Sequence, residues 1–143
     1  MFVEQISIFL ENKSGRLAEV TKILGENHID ISALSIADTT DFGILRLIVN
    51  NPGKAVEILK ENGFTVSSTN VIAVEVADKP GGLSKALEVL HDAKIGIEYM
   101  YAFVGKTEED AKVLLRVDSP ENAVKALEAN GVKVLTANQV YKL

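Results

Sequence analysis

Apolar residues along this chain repeat with a period of two in some segments and of three to four in others, which predicts alternating strands and helices. Ile6, Ile8 and Leu10 alternate with other side chains, as in a strand. After Gly15 the apolar residues recur at three- and four-residue spacing, as on one face of a helix. The first half therefore predicts the order strand, helix, strand, strand, helix, strand. These elements are predicted at residues 2–10, 15–27, 29–38, 43–50, 51–63 and 64–69.

The second half of the chain repeats these signals. Residues 10–31 match residues 76–97, and residues 49–70 match residues 117–138 with two extra residues in between. The simplest place for this insertion is the loop around residues 105–110. The repeat predicts strands at 71–76, 95–104 and 113–117, and helices at 83–92 and 119–131.

The second helix of each half has the same start and stop residues. Asn51-Pro52 and Ser119-Pro120 place a capping residue before a proline at the first helical position. Asn62-Gly63 and Asn130-Gly131 end these helices with a glycine that accepts a positive φ angle. Two different sequences with the same chemistry make these helix boundaries well defined.

This element order is the split strand–helix–strand pattern of the ferredoxin-like fold. We therefore predict an α+β protein of two tandem ferredoxin-like βαββαβ units, residues 1–69 and 70–143, with antiparallel sheets and the helices on one face. Units of about 70 residues bury a low fraction of their surface, so we expect them to pack on each other or on another chain.

Strand alternation predicts which residues face the helices. Leu45, Leu47 and Val49 should face them, as should the matching Val113, Leu115 and Val117. The opposite face of the first unit should then carry Ile44, Arg46, Ile48, Leu34 and Ile36. This set is apolar enough that we expect the face to be covered by the other unit or by a second chain.

Composition narrows the classes of function. The chain is 47% hydrophobic and 24% charged, has a net charge of -5 and contains no cysteine. The acidic balance argues against nucleic acid or anionic membrane as partners. Residues 1–5 lack the features of a secretory signal, so we expect a cytoplasmic protein. His28 and His91 have no second ligand at suitable spacing, and we expect neither a metal nor a cofactor.

The best candidate for chemistry is the turn between the first strand and the first helix of each unit. It reads Asn12-Lys13-Ser14-Gly15-Arg16-Leu17 in the first half and Asp78-Lys79-Pro80-Gly81-Gly82-Leu83 in the second. Glycine at a helix start lets a ligand approach the backbone, and the free N–H groups there favour an anion such as a carboxylate. Asn12 or Asp78 would accept a hydrogen bond from an ammonium group. The alternative is that these glycines serve only the turn conformation.

The second turn, followed by a helix and by Ile95-Gly96-Ile97, resembles the signature of ACT domains, which are small ferredoxin-like regulatory modules. Asn12–Leu17 with Ile29-Asp30-Ile31 is similar, although Ser14 replaces the usual proline. The resemblance implies a stand-alone tandem ACT protein without enzyme activity that binds a free amino acid at an interface between paired units. It also implies allosteric regulation, a homodimer, and a biosynthetic or catabolic enzyme as a partner.

Carried over by position, the resemblance implies ligand contacts in the turn and in the early part of the second strand of each unit. These are Asn12, Ser14, Gly15, Arg16, Leu17, Ser32, Ala33 and Leu34 in the first unit, and Asp78, Pro80, Gly81, Gly82, Leu83, Glu98, Tyr99 and Met100 in the second. The copies differ, because Pro80 lacks the amide hydrogen of Ser14 and Gly82 lacks the charge of Arg16.

Two of these features have a second explanation. Arg16 either pairs with a ligand carboxylate or stays solvated. Tyr99, Tyr101 and Phe103 alternate on one face, where they either pack in a core or line a pocket between units.

Two other functions fit the same topology. Acylphosphatases use a strand-to-helix loop with an arginine, and residues 12–16 offer such a loop, although Gly82 provides no matching arginine. RNA-binding RRM domains need aromatic residues on their middle strands, which residues 43–50 lack. The acylphosphatase-like hydrolase is the stronger of these alternatives.

Overall fold

A computed structural model describes residues 2–11, 15–38, 42–103 and 110–142 of the chain. These residues form seven strands and five helices. In chain order they are β1 Val3–Glu11, α1 Arg16–Glu26, β2 Ile31–Asp38, β3 Phe42–Val49, α2 Pro52–Glu61, β4 Thr65–Ala77, α3 Gly82–Asp92, β5 Ile97–Ala102, β6 Asp110–Val117, α4 Pro120–Ala129, β7 Lys133–Leu135 and α5 Ala137–Tyr141.

The chain divides into two compact units, one containing Glu4–Thr69 and the other Asn70–Val140. The strand order is β2-β3-β1-β4 in the first unit and β5-β6-β4-β7 in the second, and the registered pairs are antiparallel. In each unit two helices pack on one face of the sheet around a single apolar core. The predicted α+β ferredoxin-like fold in two tandem units is confirmed.

Core positions follow the predicted alternation of β3 and β6. Leu45, Leu47 and Val49 lie in the first core with Leu24 and Leu59 of the helices. Their counterparts Val113, Leu115 and Val117 lie in the second core. These predictions are therefore confirmed, and burial of the strands against the helices is the main stabilising term of each unit.

Strand β4 joins two predicted strands into one. The sequence predicted a strand at 64–69 that continues with almost no linker into another at 71–76, and the structure has a single strand of 13 residues, Thr65–Ala77. No glycine or proline interrupts residues 67–75, so nothing ends the extended conformation between them. From Ile72 onward β4 pairs with β6, and Ala73–Glu75 also pairs with β7.

A β-bulge in β2 overturns the predicted orientation of Leu34 and Ile36. Ile31 pairs with Val49 but Ala33 pairs with Ile48, so Ser32 is an extra residue in the ladder. One extra residue moves every later side chain to the other face of the sheet. Leu34 and Ile36 therefore lie on the helix side of the sheet, level with Leu47 and Leu45, and are 42% and 55% exposed.

On the helix-free face of the first unit, the side chain of Ile48 is covered, as predicted. This side chain is fully buried, although it is not part of the core between sheet and helices. Ala33, its neighbour across the ladder after the bulge, is also fully buried. This part of the helix-free face is therefore shielded from solvent.

Strand β5 has a bulge at the matching position. Ile97 pairs with Val117 and Tyr99 pairs with Arg116, which leaves Glu98 as the extra residue. Met100 packs against the second core, while Tyr99 and Tyr101 point to the helix-free face. The bulge thus falls within the predicted ligand-contact segment in both units.

The four long helices end in the same way. In α2, Gly63 N–H donates to Lys60 C=O and Phe64 N–H to Leu59 C=O, which is a Schellman motif. The same pair of bonds ends α1, α3 and α4. Gly63 and Gly131 have φ angles of +86° and +77°, so the predicted glycine stops are confirmed.

The predicted helix starts are only partly right. The Asn51 side chain caps α2 by accepting a hydrogen bond from Lys54 N–H at 3.2 Å. Ser119 precedes Pro120 as predicted, but its side chain makes no capping bond to α4. Its hydroxyl accepts instead from Asn122 Nδ2 at 2.8 Å.

Candidate functional site

The strand-to-helix turn has the same key residue in both units. Gly15 is the N-cap of α1 with φ +89°, and Gly81 is the N-cap of α3 with φ +86°. These left-handed values favour glycine, and no side chain of the described residues caps either helix. The first N–H groups of such a helix have no partner within the helix, and those without a partner outside it suit an anion; in the second unit Gly82 N–H already donates to Lys79 C=O.

The described residues of the two predicted turns are exposed or half-buried. Asn12 and Ser14 lie outside the described residues. Gly15 and Leu17 are exposed, and Arg16 is half-buried. In the second unit Asp78, Pro80 and Gly81 are exposed, whereas Gly82 and Leu83 are half-buried.

A concave pocket of about 440 Å³ lies beside the first turn. We call it the first-unit pocket, and its lining combines apolar and charged side chains. It is lined by Phe9, Leu10, Glu11, Arg16, Gly63, Phe64 and Thr65. The residues come from the end of β1, the start of α1 and the segment between α2 and β4.

Arg16 is held in a defined position in this pocket. Its Nη1 lies 3.1 Å from Glu19 Oε2, and its guanidinium carbon lies 5.8 Å from the centre of the Phe64 ring. Stacking on an aromatic face and a carboxylate partner both orient the guanidinium. The side chain is 33% exposed, so Arg16 is neither fully solvated nor buried.

A second pocket of about 320 Å³ lies at the matching place in the other unit. We call it the second-unit pocket. It is lined by Glu75, Val76, Ala77, Lys79, Pro80, Gly81, Gly82, Lys85, Ala86, Gly131 and Val132. The internal repeat relates Val76, Gly131 and Val132 to Leu10, Gly63 and Phe64 of the first-unit pocket. Each unit thus places a pocket at its strand-to-helix turn.

The charges of the two pockets differ. The second-unit pocket has Ala77 and Gly82 where the first has Glu11 and Arg16, and Lys85 where the first unit has Glu19. It also has Glu75 where the first has Phe9. Glu75 lies 3.8 Å from Lys112 Nζ and 3.4 Å from Lys133 Nζ.

Gly82 is required by a close backbone approach. A Cβ placed on Gly82 would lie 1.9 Å from the carbonyl oxygen of Ala77. The turn is held by hydrogen bonds from Lys79 N–H to Ala77 C=O at 2.9 Å and from Gly82 N–H to Lys79 C=O at 3.0 Å. No side chain fits at Gly82 unless this turn opens.

The second-strand residues are not brought to the turn of their own unit. Leu34 pairs with Leu47, and Leu47 pairs with Ile6 on β1. Leu10, near the end of β1, pairs instead with Gly43. Four strand residues separate these levels, or about 14 Å. In the second unit Met100 is level with Ile72, five residues before the end of β4 at Ala77.

These second-strand residues differ in burial. Ser32 and Ala33 are buried, Leu34 and Glu98 are exposed, and Tyr99 and Met100 are half-buried. The Ser32 hydroxyl is buried, and it has no hydrogen-bond partner among the residues that the structure describes. Glu98 Oε2 lies 3.2 Å from Arg116 Nε.

Sequence reasoning missed several residues that line the pockets. In the first unit these are Phe9, Glu11, Gly63, Phe64 and Thr65, and in the second Glu75, Lys79, Lys85, Gly131 and Val132. Gly63-Phe64 and Gly131-Val132 follow the two helix stops that the repeat preserves. Their recurrence was the signal that would have identified them.

Among the described residues, no group of three or more His, Asp or Glu side chains is arranged to hold a metal ion. Within the same part of the chain, no helix has both the length and the apolar character needed to cross a membrane.

Comparison with known proteins identifies the family. The whole chain, residues 1–143, matches the model of the ACT domain pair. A protein of solved structure from Bacteroides thetaiotaomicron is 43% identical, with 100% of this chain and 98% of that chain covered and a TM-score of 0.94. The chain belongs to the ACT domain pairs, a family of regulatory, amino-acid-binding proteins, as the resemblance implied.

More distant structures share the fold. The regulatory subunit of aspartate kinase from Thermus thermophilus, in its ligand-free form, is 16% identical with a TM-score of 0.67, and 90% of this chain and 92% of that chain are covered. The corresponding subunit from Thermus flavus is 16% identical with a TM-score of 0.60, and the covered shares are 88% and 90%. At this identity the likeness concerns the fold. The search of the curated proteins found no match.

Proposed function

We propose that this protein is a non-catalytic regulator that binds a free amino acid or a similar small carboxylate. The observation that carries the proposal is the pair of pockets at the same place in the two units, each beside a helix N-terminus with a left-handed glycine. A helix N-terminus favours a carboxylate, and each pocket adds at least one positive side chain, Arg16 in one and Lys79 with Lys85 in the other.

The ligand is shared between ACT units in this proposal. The turn residues and the second-strand residues of one unit lie at different levels of its sheet, so a small molecule that contacts both sets takes them from different units. The bulges at Ser32 and Glu98 support a role for these segments, because bulges re-aim side chains near binding sites. A ligand would also satisfy the buried Ser32 hydroxyl, which is otherwise costly.

Regulation follows from this arrangement by a shift of populations. A ligand that needs two units favours whichever arrangement completes its site, and it shifts the equilibrium only by its differential affinity. We propose a homodimer as the responding species, with a biosynthetic or catabolic enzyme as the partner that reads the change. Sedimentation of the protein with and without amino acid tests the dimer.

A thermal-shift screen of the twenty amino acids tests the proposed function. A ligand that binds only the folded protein must raise its melting temperature. Calorimetric titration of each hit then measures affinity for the wild type and for Gly15→Asp, which places a negative charge at the turn. We expect this variant to weaken binding about tenfold or more, because it repels the carboxylate.

Gly15→Asn is the matched control. Asparagine has the size of aspartate without its charge, and both tolerate a left-handed backbone better than most residues. A Cβ at Gly15 meets no atom of the described residues within 4 Å. If no amino acid raises the melting temperature, the proposed function is wrong. If both variants bind the amino acid as tightly as the wild type does, the turn is not the carboxylate site.

The acylphosphatase alternative is tested separately. The Arg16 guanidinium is already oriented by Glu19 and Phe64, and Gly82 stands in its place in the second unit. We expect no hydrolysis of a simple acyl phosphate above the uncatalysed rate. Hydrolysis that disappears in Arg16→Met would favour the enzyme instead.

A further inference from the structure

We infer that the first-unit pocket selects an amino acid with a large apolar side chain, whose carboxylate binds Arg16 and whose ammonium group binds Glu11. The inference rests on the proposed function and adds the class of ligand and the residues that choose it. The pocket volume of about 440 Å³ is in the usual range for small-molecule sites and suffices for any free amino acid.

Arg16 is the group suited to a carboxylate. The guanidinium has five N–H donors in a planar fork, and the contact with Glu19 at 3.1 Å involves Nη1. The Phe64 ring, whose centre lies 5.8 Å from the guanidinium carbon, attracts the cation without using a donor. A carboxylate that enters the pocket can therefore form the paired hydrogen bonds typical of arginine.

Glu11 provides the opposite charge in the same pocket. Its carboxylate is exposed and offers about four acceptor positions, so it can receive an ammonium N–H in addition to other contacts. A pocket with one cation and one anion matches a zwitterion and disfavours ligands with an additional charge. This points to a neutral amino acid.

The apolar wall sets the side-chain class. Phe9 provides most of the exposed apolar surface of the pocket, because it is 41% exposed whereas the other two apolar lining residues, Leu10 and Phe64, are only 5% and 9% exposed. Covering such a surface with a large apolar side chain is favourable, whereas glycine would leave it in water. We expect phenylalanine, leucine or similar residues to bind more tightly than glycine.

The second-unit pocket lacks this combination. Its residues at the matching positions are Glu75, Ala77, Gly82 and Val132, so it has neither the arginine fork nor the aromatic wall. The selectivity is therefore assigned to the first unit alone, and changes there should alter it.

Calorimetry with ligand pairs tests the inference on the full chain. Phenylalanine should bind at least about tenfold more tightly than glycine, since burial of one large side chain is worth that factor. Phenylalanine amide, which lacks the carboxylate, and N-acetylphenylalanine, which lacks the ammonium group, should each bind about tenfold more weakly or worse.

Three variants locate these preferences. Arg16→Met should reduce the ratio of the affinities for phenylalanine and its amide to near one. Glu11→Gln should do the same for phenylalanine and N-acetylphenylalanine, and Phe9→Ala should reduce the ratio for phenylalanine and glycine. Each ratio is measured on one protein sample, so a general loss of stability does not imitate the effect.

Lys22→Met and Glu57→Gln remove the same charges from exposed helix positions and should leave all ratios unchanged. If Arg16→Met does not fold, Arg16→Lys keeps the charge without the fork and should reduce the first ratio partially.

The outcomes separate the two proposals. If an amino acid binds but the ratios do not respond to Arg16→Met and Glu11→Gln, or if a charged amino acid binds best, this inference is wrong and the proposed function stands. If no amino acid binds the wild type, the proposed function fails together with it.

Discussion

Gly82 and Arg16 occupy the same position in the two halves of the chain, yet only one of these sites accepts a side chain. The Ala77 carbonyl oxygen would lie 1.9 Å from a Cβ on Gly82. Arg16 carries a Cβ, so the corresponding carbonyl of Glu11 cannot take the same position. The close approach of the strand-end carbonyl to position 82 therefore has no equivalent at position 16, and the charge at these positions differs as well, which supports different ligands for the two units.

This contact leads to a stability prediction for Gly82→Ala. The turn must open to admit the methyl group, and we expect a loss of about 2 to 4 kcal/mol in the free energy of unfolding. Urea titration followed by circular dichroism measures it. Gly25→Ala is the control, because Gly25 lies in α1 with no atom within 4 Å of an added Cβ.

Alanine is the better helix former, so Gly25→Ala should stabilise the protein by up to about 1 kcal/mol. Equal effects of the two substitutions would contradict the close approach at Gly82.

Lys94 is a second position where the backbone conformation suits glycine better than the residue present. It ends α3 with φ +60°, in the position that Gly63 and Gly131 occupy after α2 and α4. Lys94 N–H donates to His91 C=O at 2.9 Å, and this bond requires the left-handed conformation. Lys94→Gly should relieve strain and raise the free energy of unfolding by about 0.5 to 1 kcal/mol.

The control is Lys125→Gly in the exposed middle of α4, which should lower stability by about 1 kcal/mol. Thermal unfolding of both variants checks the opposite signs. A lower melting temperature in both variants would show that the strain at Lys94 is too small to affect stability.

At the scale of elements, the sequence predicted α1–α4 to within two residues at each described end, because their starts and stops have local causes. Asn62-Gly63 and Asn130-Gly131 specify helix ends through backbone conformation alone. The bulges at Ser32 and Glu98 could not be predicted, since they depend on pairing with β3 and β6 and the two bulged residues are of different types. The orientation of Leu34 and Ile36 was wrong for this reason.

Helix α5 was missed although it has a local signal. Thr136 and Gln139 form a capping box: Thr136 N–H donates to Gln139 Oε1 at 2.8 Å, and Gln139 N–H donates to Thr136 Oγ1 at 3.2 Å. This box follows β7, which has three residues, whereas β4 continues for 13. The internal repeat matches this segment to the long strand β4, and it therefore favoured a continued strand in place of helix α5.

The capping box gives a prediction for the end of the chain. Thr136→Ala and Gln139→Ala should each cost about 1 kcal/mol in the free energy of unfolding, and the double variant should cost less than the sum because the bonds are reciprocal. Asn138→Ala, an exposed position in the same helix, should change stability by less than about 0.5 kcal/mol. Urea titrations of the four variants measure this.

Loss of α5 should also release Tyr141, whose hydroxyl accepts a hydrogen bond from Glu4 N–H at 3.0 Å. Faster amide hydrogen exchange at Glu4 in the double variant would report this release. Full additivity of the two single substitutions would contradict the reciprocal box.

At the scale of the whole molecule, the sequence located the turns but not the pockets. The turns follow from local glycine signals at Gly15 and Gly81. The pockets need β1, the helix start and the residues after a second helix to meet, as Arg16 meets Phe64 across 48 positions of the chain. Such proximity follows from tertiary packing, and only the comparison of the two halves gave a hint of it.

Two related but different pockets predict two sites of unequal affinity in one chain. Arg16, Glu11 and Phe9 line one pocket, and Lys79, Lys85 and Glu75 line the other, so a given amino acid should not bind both equally. Calorimetric titration with the best ligand should need two dissociation constants that differ by about tenfold or more.

The turn variants assign these constants to the units. Gly15→Asp should remove one binding event and Gly81→Asp the other, because each places a negative charge at one turn, while Gly15→Asn and Gly81→Asn keep both events. Within the described part of the chain, neither glycine has an atom within 4 Å of an added Cβ, so the paired variants differ mainly in charge. A single binding event that both aspartate variants abolish would instead mean that the two turns hold one ligand together, and the pockets would not be separate sites.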